Sequence, residues 1–202
     1  MATEVRYPIV EQFYSLQGEG YWMGQPAYFI RLGGCPVACT WCDTRHSWPQ
    51  EGWPLYDIAT LVAEARARGA KHVVLTGGEP TIHALGPLIE ALQAEGCFVQ
   101  LETAGIGPVP QPQPDWITFS PKRFMAPREA YYDRCHELKI VIHAPSDLRW
   151  AQAQRAKVTR PIPAFLQPDA YQPAALQWLL DYLQKHPEWR LSLQIHRYLA
   201  LP

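Results

Sequence analysis

Short apolar runs alternate with longer amphipathic stretches along most of the chain. Seven runs are nearly continuous in apolar character, which is typical of strands that are covered on both faces of a sheet. The stretches between them repeat their apolar positions with helical spacing. We predict strands over residues 27–32, 72–76, 98–102, 116–119, 138–142, 164–166 and 191–195, and helices over residues 57–68, 83–95, 146–157 and 173–186.

The alternation of strands and helices predicts an α/β fold. Asp57 is a suitable N-cap for the first helix, and Gly69 and Gly96 are stop signals after the first and second. Strands separated by helices run parallel with right-handed crossovers. So few units indicate a partial, open β/α barrel of about six parallel strands. We expect residues 1–202 to form a single domain.

Composition narrows the class of protein. The chain has 202 residues, 48% of them hydrophobic, which is enough for a sizeable core. The net charge of −1 gives no electrostatic reason to expect binding to nucleic acid or to an anionic membrane. The first residues lack the apolar segment of a secretory signal, and no apolar run reaches membrane-spanning length. We therefore expect a cytoplasmic protein.

Three cysteines, Cys35, Cys39 and Cys42, lie within eight residues in a C-x3-C-x2-C pattern. A 4Fe–4S cluster ordinarily takes one thiolate on each iron. Three local thiolates would hold three irons and leave the fourth open to a small molecule. The spacing therefore favours a cluster that takes part in chemistry over one that only carries electrons.

Two other interpretations of these cysteines remain open. A structural zinc site with His46 as the fourth ligand is one, although such sites favour two separated ligand pairs. Simple burial in the core is the other, but the flanking Gly-Gly-Cys-Pro and Cys-Asp-Thr sequences are typical of a loop. Cys97 and Cys135 have no ligand spacing around them, and we expect both to be reduced and packed.

Polar motifs follow the predicted strands, at the edge where a partial barrel gathers its catalytic groups. Each motif alone is explained by a turn, but their shared position favours a functional site. They are Thr76-Gly77-Gly78-Glu79-Pro80, Glu102-Thr103-Ala104-Gly105, Ser120-Pro121-Lys122, Gln167-Pro168-Asp169, and Gln194 with His196.

The cysteine pattern together with Thr76-Gly77-Gly78-Glu79-Pro80 resembles the radical S-adenosylmethionine enzymes. Further segments make the chain similar to the 7-carboxy-7-deazaguanine synthase family, from about Phe13 to the last residue. They are residues 13–20, 31–35, 42–44, 120–122, 167–168 and 194–202.

The resemblance implies a carbon–nitrogen lyase of queuosine and 7-deazapurine biosynthesis. Its reaction would be a radical ring contraction of 6-carboxy-5,6,7,8-tetrahydropterin to 7-carboxy-7-deazaguanine with loss of ammonia. It implies a 4Fe–4S cluster, S-adenosylmethionine and Mg²⁺ as cofactors. It also implies a homodimer that receives electrons from a donor such as flavodoxin or ferredoxin.

The same resemblance assigns site residues. Cys35, Cys39 and Cys42 would ligate the cluster. Contacts to S-adenosylmethionine would come from Gly78, Ser120, Pro121, Lys122, Gln167 and Glu102. The substrate would meet Leu16, Gln17, Gly18, Glu19, Arg31, Thr76, His196 and Pro202.

For three of the site residues, a physical reason supports the assignment, and an alternative role also stays open. Arg31 offers a planar fork suited to a carboxylate, and the alternative is a surface salt bridge. Thr44 would bind Mg²⁺ in the resembling family, and the alternative is that it only caps a turn. The carboxylate of Pro202 would bind the substrate, with residues 196–202 closing the site, and the alternative is a frayed tail.

The sequence departs from the family pattern at Ala104 and at Asp169-Ala170, so contacts near residues 102–105 and 167–170 are less determined. Two other functions stay open. One is a radical-generating activase of a partner protein, and the other is a zinc-binding interaction module.

Overall fold

One sheet of nine strands organises residues 5–202. The computed structural model describes residues 5–202, so the first four residues, which bear on the predicted lack of a signal peptide, lie outside it. The strands are β1 (Arg6–Leu16), β2 (Pro26–Leu32), β3 (Leu55–Asp57), β4 (His72–Gly77), β5 (Phe98–Thr103), β6 (Trp116–Phe119), β7 (Glu137–Ile142), β8 (Ala164–Pro168) and β9 (Arg190–Leu191).

The strand order is β3-β1-β2-β4-β5-β6-β7-β8-β9, and the strands from β2 to β9 are parallel. This confirms the predicted α/β fold with an open sheet of parallel strands. The sheet ends in β3 and β9, and β1 runs antiparallel to both β2 and β3. Neither β1 nor β3 was among the predicted strands, because β1 mixes polar and apolar positions on a strand near the edge.

Six α-helices accompany the strands in the described part of the chain. They are α1 (Ile58–Ala67), α2 (Gly86–Ala94), α3 (Ala130–Arg134), α4 (Ser146–Arg155), α5 (Ala174–Leu183) and α6 (Ile195–Tyr198). Four of them fall within the predicted ranges. Asp57 caps α1 as predicted, since its side chain accepts a 2.7 Å hydrogen bond from the amide of Thr60.

Two predicted boundaries were wrong. The helix expected from residue 83 begins at Gly86, because the segment Pro80–Ile82 forms a short 3-10 turn instead. The strand expected over residues 191–195 is reduced to Arg190–Leu191, and Ile195 already begins α6. The apolar residues of this segment belong to two elements, β9 and α6.

Two hydrophobic clusters cover the outside of the sheet. One joins β1, β2, β4 and β5 to α1 and α2, and the other joins β6, β7 and β8 to α3, α4 and α5. Cys97 belongs to the first cluster and Cys135 to the second, and both are buried free thiols as predicted. Within residues 5–202, no helix combines the length and apolar character needed to cross a bilayer.

Candidate active site

A cavity of about 530 Å³ occupies the interior of the open barrel, a size typical of small-molecule sites. All but one of the residues assigned to the site by resemblance line it. The exception is Pro121, which is buried but outside the lining. The predicted residues in the lining are Leu16, Gln17, Gly18, Glu19, Arg31, Cys35, Cys39, Cys42, Thr44, Thr76, Gly78, Glu102, Ser120, Lys122, Gln167, His196 and Pro202.

Residues 33–48, here called the cysteine loop, follow β2 at the carboxyl edge of the sheet. Main-chain hydrogen bonds fix the loop at its two ends, from Gly34 to Ser47 (2.8 Å) and from Cys35 to Trp48 (3.0 Å). Another joins the amide of Cys42 to the carbonyl of Cys39 at 3.0 Å. The thiol of Cys39 is buried, which raises its pKa to about 11. Loading of a metal group would therefore have to release protons from these thiols.

The glycines after β4 let this strand end pack directly on the cysteine loop. The amide of Gly78 donates to Leu32 and that of Glu79 to Gly34, at 2.9 and 2.8 Å. A Cβ on Gly78 would lie 2.2 Å from the Gly34 carbonyl oxygen and 3.0 Å from the Cβ of Cys35. A side chain at this position would therefore push the loop and Cys35 away.

Glu79 ties the ends of β4 and β5 together from a buried position. Its carboxylate accepts hydrogen bonds from the Thr103 hydroxyl at 2.5 Å and the Ala104 amide at 2.7 Å. It also accepts one from the Thr81 amide at 3.1 Å. Buried carboxylates are costly unless such donors surround them, so the Gly-Gly-Glu-Pro motif sets the shape of this rim through Glu79.

The geometry of the cysteines argues against a single zinc ion. Within residues 5–202, their three sulfur atoms do not all lie within 4.8 Å of one another. In a tetrahedral zinc site, sulfur atoms at normal bond lengths would be roughly 3.8 Å apart. The suggested fourth ligand, His46, instead approaches Glu11, with 3.8 Å between its Nε2 and the carboxylate.

The motif after β6 places a cation at the cavity. The ammonium group of Lys122 donates a 2.9 Å hydrogen bond to the carbonyl of Ser120 and also contacts the Ser120 hydroxyl. Burial lowers the pKa of Lys122. This cation and hydroxyl can bind a polar ligand at the same rim as the cysteine loop.

Residues 17–25 form the turn between β1 and β2, which we call the floor turn. Trp22 packs at its tip against His72, Phe98 and Trp116, the first residues of β4, β5 and β6. The turn therefore lies at the amino ends of the parallel strands, opposite the cysteine loop. From there it presents Gln17, Gly18 and Glu19 to the cavity.

A buried network of side chains forms the floor of the cavity. Lys139 on β7 makes ion pairs with Glu19 and Glu102. Gln17 donates to Glu102 at 3.2 Å, and Glu19 accepts from the amides of Gln167 (3.1 Å) and Gln194 (2.9 Å). We call Gln17, Glu19, Glu102, Lys139, Gln167 and Gln194 the floor network.

The charges of the floor network depend on one another. Burial alone would raise the pKa of Glu19, but the ammonium of Lys139 lowers it to about 2. Burial raises the pKa of Glu102 despite the same neighbour. Burial would lower the pKa of Lys139, but Glu102, Glu19 and Glu137 raise it overall. Lys139 is therefore held as a cation.

The wall formed by β1 and β2 carries Arg31. Its Nε atom lies 2.6 Å from a carboxylate oxygen of Glu11, and the Arg31 side chain is only 14% exposed. The ion pair that the sequence left as an alternative therefore exists. Because it uses Nε alone, the two terminal nitrogens remain for a second acceptor.

The last residues lie along the opening between the two ends of the sheet. The amide of Ile195 donates to the carbonyl of Gly18 at 3.0 Å. A Cβ on Gly18 would lie 2.2 Å from Nδ1 of His196, so the imidazole rests on that glycine. The hydroxyl of Ser15 lies 3.5 Å from the carbonyl oxygen of Pro202.

Thr44 lies at the start of a 3-10 turn, but its side chain makes no capping hydrogen bond. Its hydroxyl lies 3.6 Å from the sulfur of Cys42. Nearby, the ligand atoms of Glu19, Asp43 and His196 all lie within 4.8 Å of one another. The alternative role of Thr44 as a side-chain cap is thus not observed, and hard oxygen ligands are present close to it.

Sequence reasoning missed Lys139, Glu11 and Asp43, which also line the cavity, whereas Gln194 was among the polar motifs expected at the carboxyl edge of the sheet. Lys139 left a signal, because a lysine stands alone within the apolar strand Glu137–Ile142. A charged residue on a buried strand requires a partner, and the partners come from distant parts of the chain. Glu11 and Asp43 gave no comparable signal, since acidic residues are common on loops and strand edges.

The fold and the site define a class of protein. Residues 29–118 match the family model described as the radical SAM superfamily. The crystal structure of QueE from Escherichia coli superposes with a TM-score of 0.83 and 36% sequence identity, covering 94% of each chain. A C-x3-C-x2-C loop at the carboxyl edge of an open β/α barrel is thus the site of a radical SAM enzyme.

Curated relatives identify the family within this class. The 7-carboxy-7-deazaguanine synthase of Synechocystis is 43% identical over 98% of this chain and 94% of its own length. That of Escherichia coli K12 is 36% identical over 98% of this chain and its full length. The chain belongs to the 7-carboxy-7-deazaguanine synthase family.

Proposed function

We propose that this chain contracts the ring of 6-carboxy-5,6,7,8-tetrahydropterin to give 7-carboxy-7-deazaguanine, with loss of ammonia. The single observation that carries the proposal is the cavity of about 530 Å³ that the three thiols and the floor network both line. Such a reaction requires thiols that hold a cofactor and polar groups that bind a bicyclic ring, and this cavity has both.

Cys35, Cys39 and Cys42 would hold three irons of a 4Fe–4S cluster. The donor set fits because the three thiols are free and line the cavity together. When bound, the cluster and S-adenosylmethionine supply one-electron chemistry that removes a hydrogen atom from the substrate. The proposed contacts to S-adenosylmethionine are the main chain of Gly78 and the side chains of Ser120, Lys122, Gln167 and Glu102.

The substrate would lie on the floor network. The free terminal nitrogens of Arg31 suit the substrate carboxylate as a bidentate pair. The side chains of Gln17, Glu19 and His196 would bind the ring nitrogens. Residues 196–202 would close the opening of the barrel beside it. The remaining proposed substrate contacts are Leu16, Gly18, Thr76 and Pro202.

The Thr44 hydroxyl makes no capping hydrogen bond, which supports its proposed role as a Mg²⁺ ligand, with substrate oxygens and water completing the shell. We further propose a homodimer that takes electrons from a small donor such as flavodoxin or ferredoxin. These two proposals rest on the family.

The test is an anaerobic turnover assay with the cluster-loaded protein, the carboxy-tetrahydropterin, S-adenosylmethionine, Mg²⁺ and a chemical reductant. We expect 7-carboxy-7-deazaguanine and ammonia in equal amounts. A matched reaction with the pterin lacking its carboxylate should give far less product, since it lacks the partner of Arg31. Absence of product from a protein with a full cluster complement would contradict the proposal. In that case, radical transfer to a partner protein would favour the activase.

A further inference from the structure

Glu137, the first residue of β7, is a buried carboxyl that the proposed function does not use. It is 1% exposed and does not belong to the cavity lining. Its Oε2 accepts a 2.9 Å hydrogen bond from the amide of Tyr21. Glu137 therefore holds the floor turn through the amide of Tyr21, which lies two residues after Glu19.

The neighbouring residue of the floor turn is shaped to fit this carboxyl. Gly20 has a φ of +66°, and a Cβ there would lie 2.3 Å from Oε1 of Glu137. Its amide donates to the Ser192 hydroxyl at 3.0 Å, which in turn donates to Gln167 at 2.9 Å. Two consecutive amides of the turn are thus held, one by β7 and one by the segment after β9.

The charged groups that act on Glu137 come from the strands around it. Glu102 on β5 and Lys139 on β7 act with opposite signs, and the hydroxyl of Thr118 on β6 is a hydrogen-bond partner. Burial, reinforced by Glu102, raises the pKa of Glu137 to about 7, although Lys139 and the hydrogen bonds from Tyr21 and Thr118 favour its ionised form. Above that pH, ionised Glu137 would add a negative charge beside Glu19, Glu102 and the ammonium of Lys139.

We propose that Glu137 is a positioning residue: it holds the floor turn in place, and loss of its proton loosens the turn and weakens substrate binding. The ionised form adds a buried negative charge that has no cation of its own, which favours movement of the turn toward water. Glu19 and Gln17 move with the turn. The effect on the substrate, but not the effect on the turn, rests on the proposed function.

The first test compares Glu137→Gln with the cluster-loaded parent. An amide keeps the acceptor for Tyr21 and the shape under Gly20 but cannot ionise. We expect the substrate KM of the parent to rise roughly fivefold between pH 6 and pH 8.5, about the worth of one buried hydrogen bond. The KM of Glu137→Gln should stay level over this range, while kcat follows the parent.

A matched control is Asp115→Asn. Asp115 also accepts a main-chain amide at the amino ends of the strands, that of Val99 at 2.8 Å, but its other partner is Gln93 on α2. This variant should keep the pH profile of the parent. The proposal is overturned if Glu137→Gln keeps that profile as well.

The second test measures the turn without any substrate. Hydrogen–deuterium exchange at the amides of residues 20 and 21, corrected for the intrinsic effect of pH, should be faster at pH 8.5 than at pH 6 in the parent. It should be independent of pH in Glu137→Gln. If exchange in the floor turn depends on pH but the protein does not turn over the pterin, the proposed function fails. The role of Glu137 in holding the turn would still stand.

A double-mutant cycle tests the contact with Gly20. Gly20→Ala should speed exchange in the turn strongly, and Glu137→Ala should do so as well. Because removal of the carboxyl makes room for the new methyl group, the effect of Gly20→Ala should be smaller in the Glu137→Ala background. Additive effects would contradict the packing on which the proposal depends.

Discussion

The two ends of the cavity are built in different ways. The cysteine loop at the carboxyl edge is held by main-chain hydrogen bonds, and its three thiols are free. The floor network consists of side chains that bond one another, with ion pairs and amides around Lys139, and it meets the cysteine loop where Gln194 donates to Asp43 at 2.8 Å. The cofactor end thus has to be completed by what it binds, whereas the substrate end is already organised.

The largest effect is expected at the cofactor end. Cys35→Ala, Cys39→Ala and Cys42→Ala should each abolish turnover, because each removes the only thiolate available to one iron. Iron content and the visible spectrum of the anaerobic protein check this directly. Cys97→Ala and Cys135→Ala are the controls, since both thiols belong to hydrophobic clusters, and they should keep the iron content. Full activity in any of the first three variants would remove the basis of the comparison.

At the substrate end, the most severe change should be Lys139→Met. It leaves Glu19 and Glu102 buried without their cation, which should lower the free energy of unfolding by about 3–5 kcal/mol at neutral pH. The control is Lys157→Met, which removes an exposed ion pair with Glu129 and should cost less than about 1 kcal/mol.

The pH dependence of this loss has a definite sign. The pKa of Glu19 in the parent is lowered to about 2, so its pairing stabilises the fold above the unfolded value and loses that effect as the pH falls toward 2. In Lys139→Met, burial without the cation would instead raise the pKa values of Glu19 and Glu102. The variant should therefore lose stability as the pH rises. Denaturant unfolding at pH 4 and pH 7 should therefore show the larger deficit at pH 7. An equal deficit at both would mean that packing, rather than charge, is lost.

The same contrast explains what could be predicted from the sequence. The parallel strands, the open barrel and the residues of the cysteine loop follow from local patterns of apolar runs and cysteine spacing. Strand-end motifs also place Glu102, Gln167 and Gln194 at the carboxyl edge of the sheet. The ion pairs of Lys139 do not follow from these motifs, because Glu19, Glu102 and Lys139 meet only after strands far apart in the chain are paired. The strand β1 was missed because it mixes buried and exposed positions irregularly, and the short α6 because none of its residues is fully buried.

A smaller effect is expected from lengthening the chain beyond Pro202. Pro202 lines the cavity beside Ser15, and two added residues would convert its carboxylate, the proposed substrate contact, into an amide. The substrate KM should rise roughly tenfold or more, the worth of a charge-assisted hydrogen bond. Iron content and uncoupled cleavage of S-adenosylmethionine should not change. The same two residues added before Met1 serve as the control, and a KM equally raised by both additions would contradict a local role for Pro202.

The smallest effect is expected at Thr44, which belongs to the cysteine loop. Its hydroxyl is not used as a cap, so Thr44→Ala should leave the loop intact while weakening the proposed Mg²⁺ site. Because Mg²⁺ keeps several water ligands, loss of one hydroxyl should lower the rate only a few-fold and raise the Mg²⁺ concentration needed for half-maximal turnover. Ser47→Ala is the matched control, because its hydroxyl instead donates to the Thr44 carbonyl at 2.7 Å. Turnover that is unchanged by a strong Mg²⁺ chelator would show that Thr44 acts only within the loop, and the substrate carboxylate would then depend on Arg31 alone.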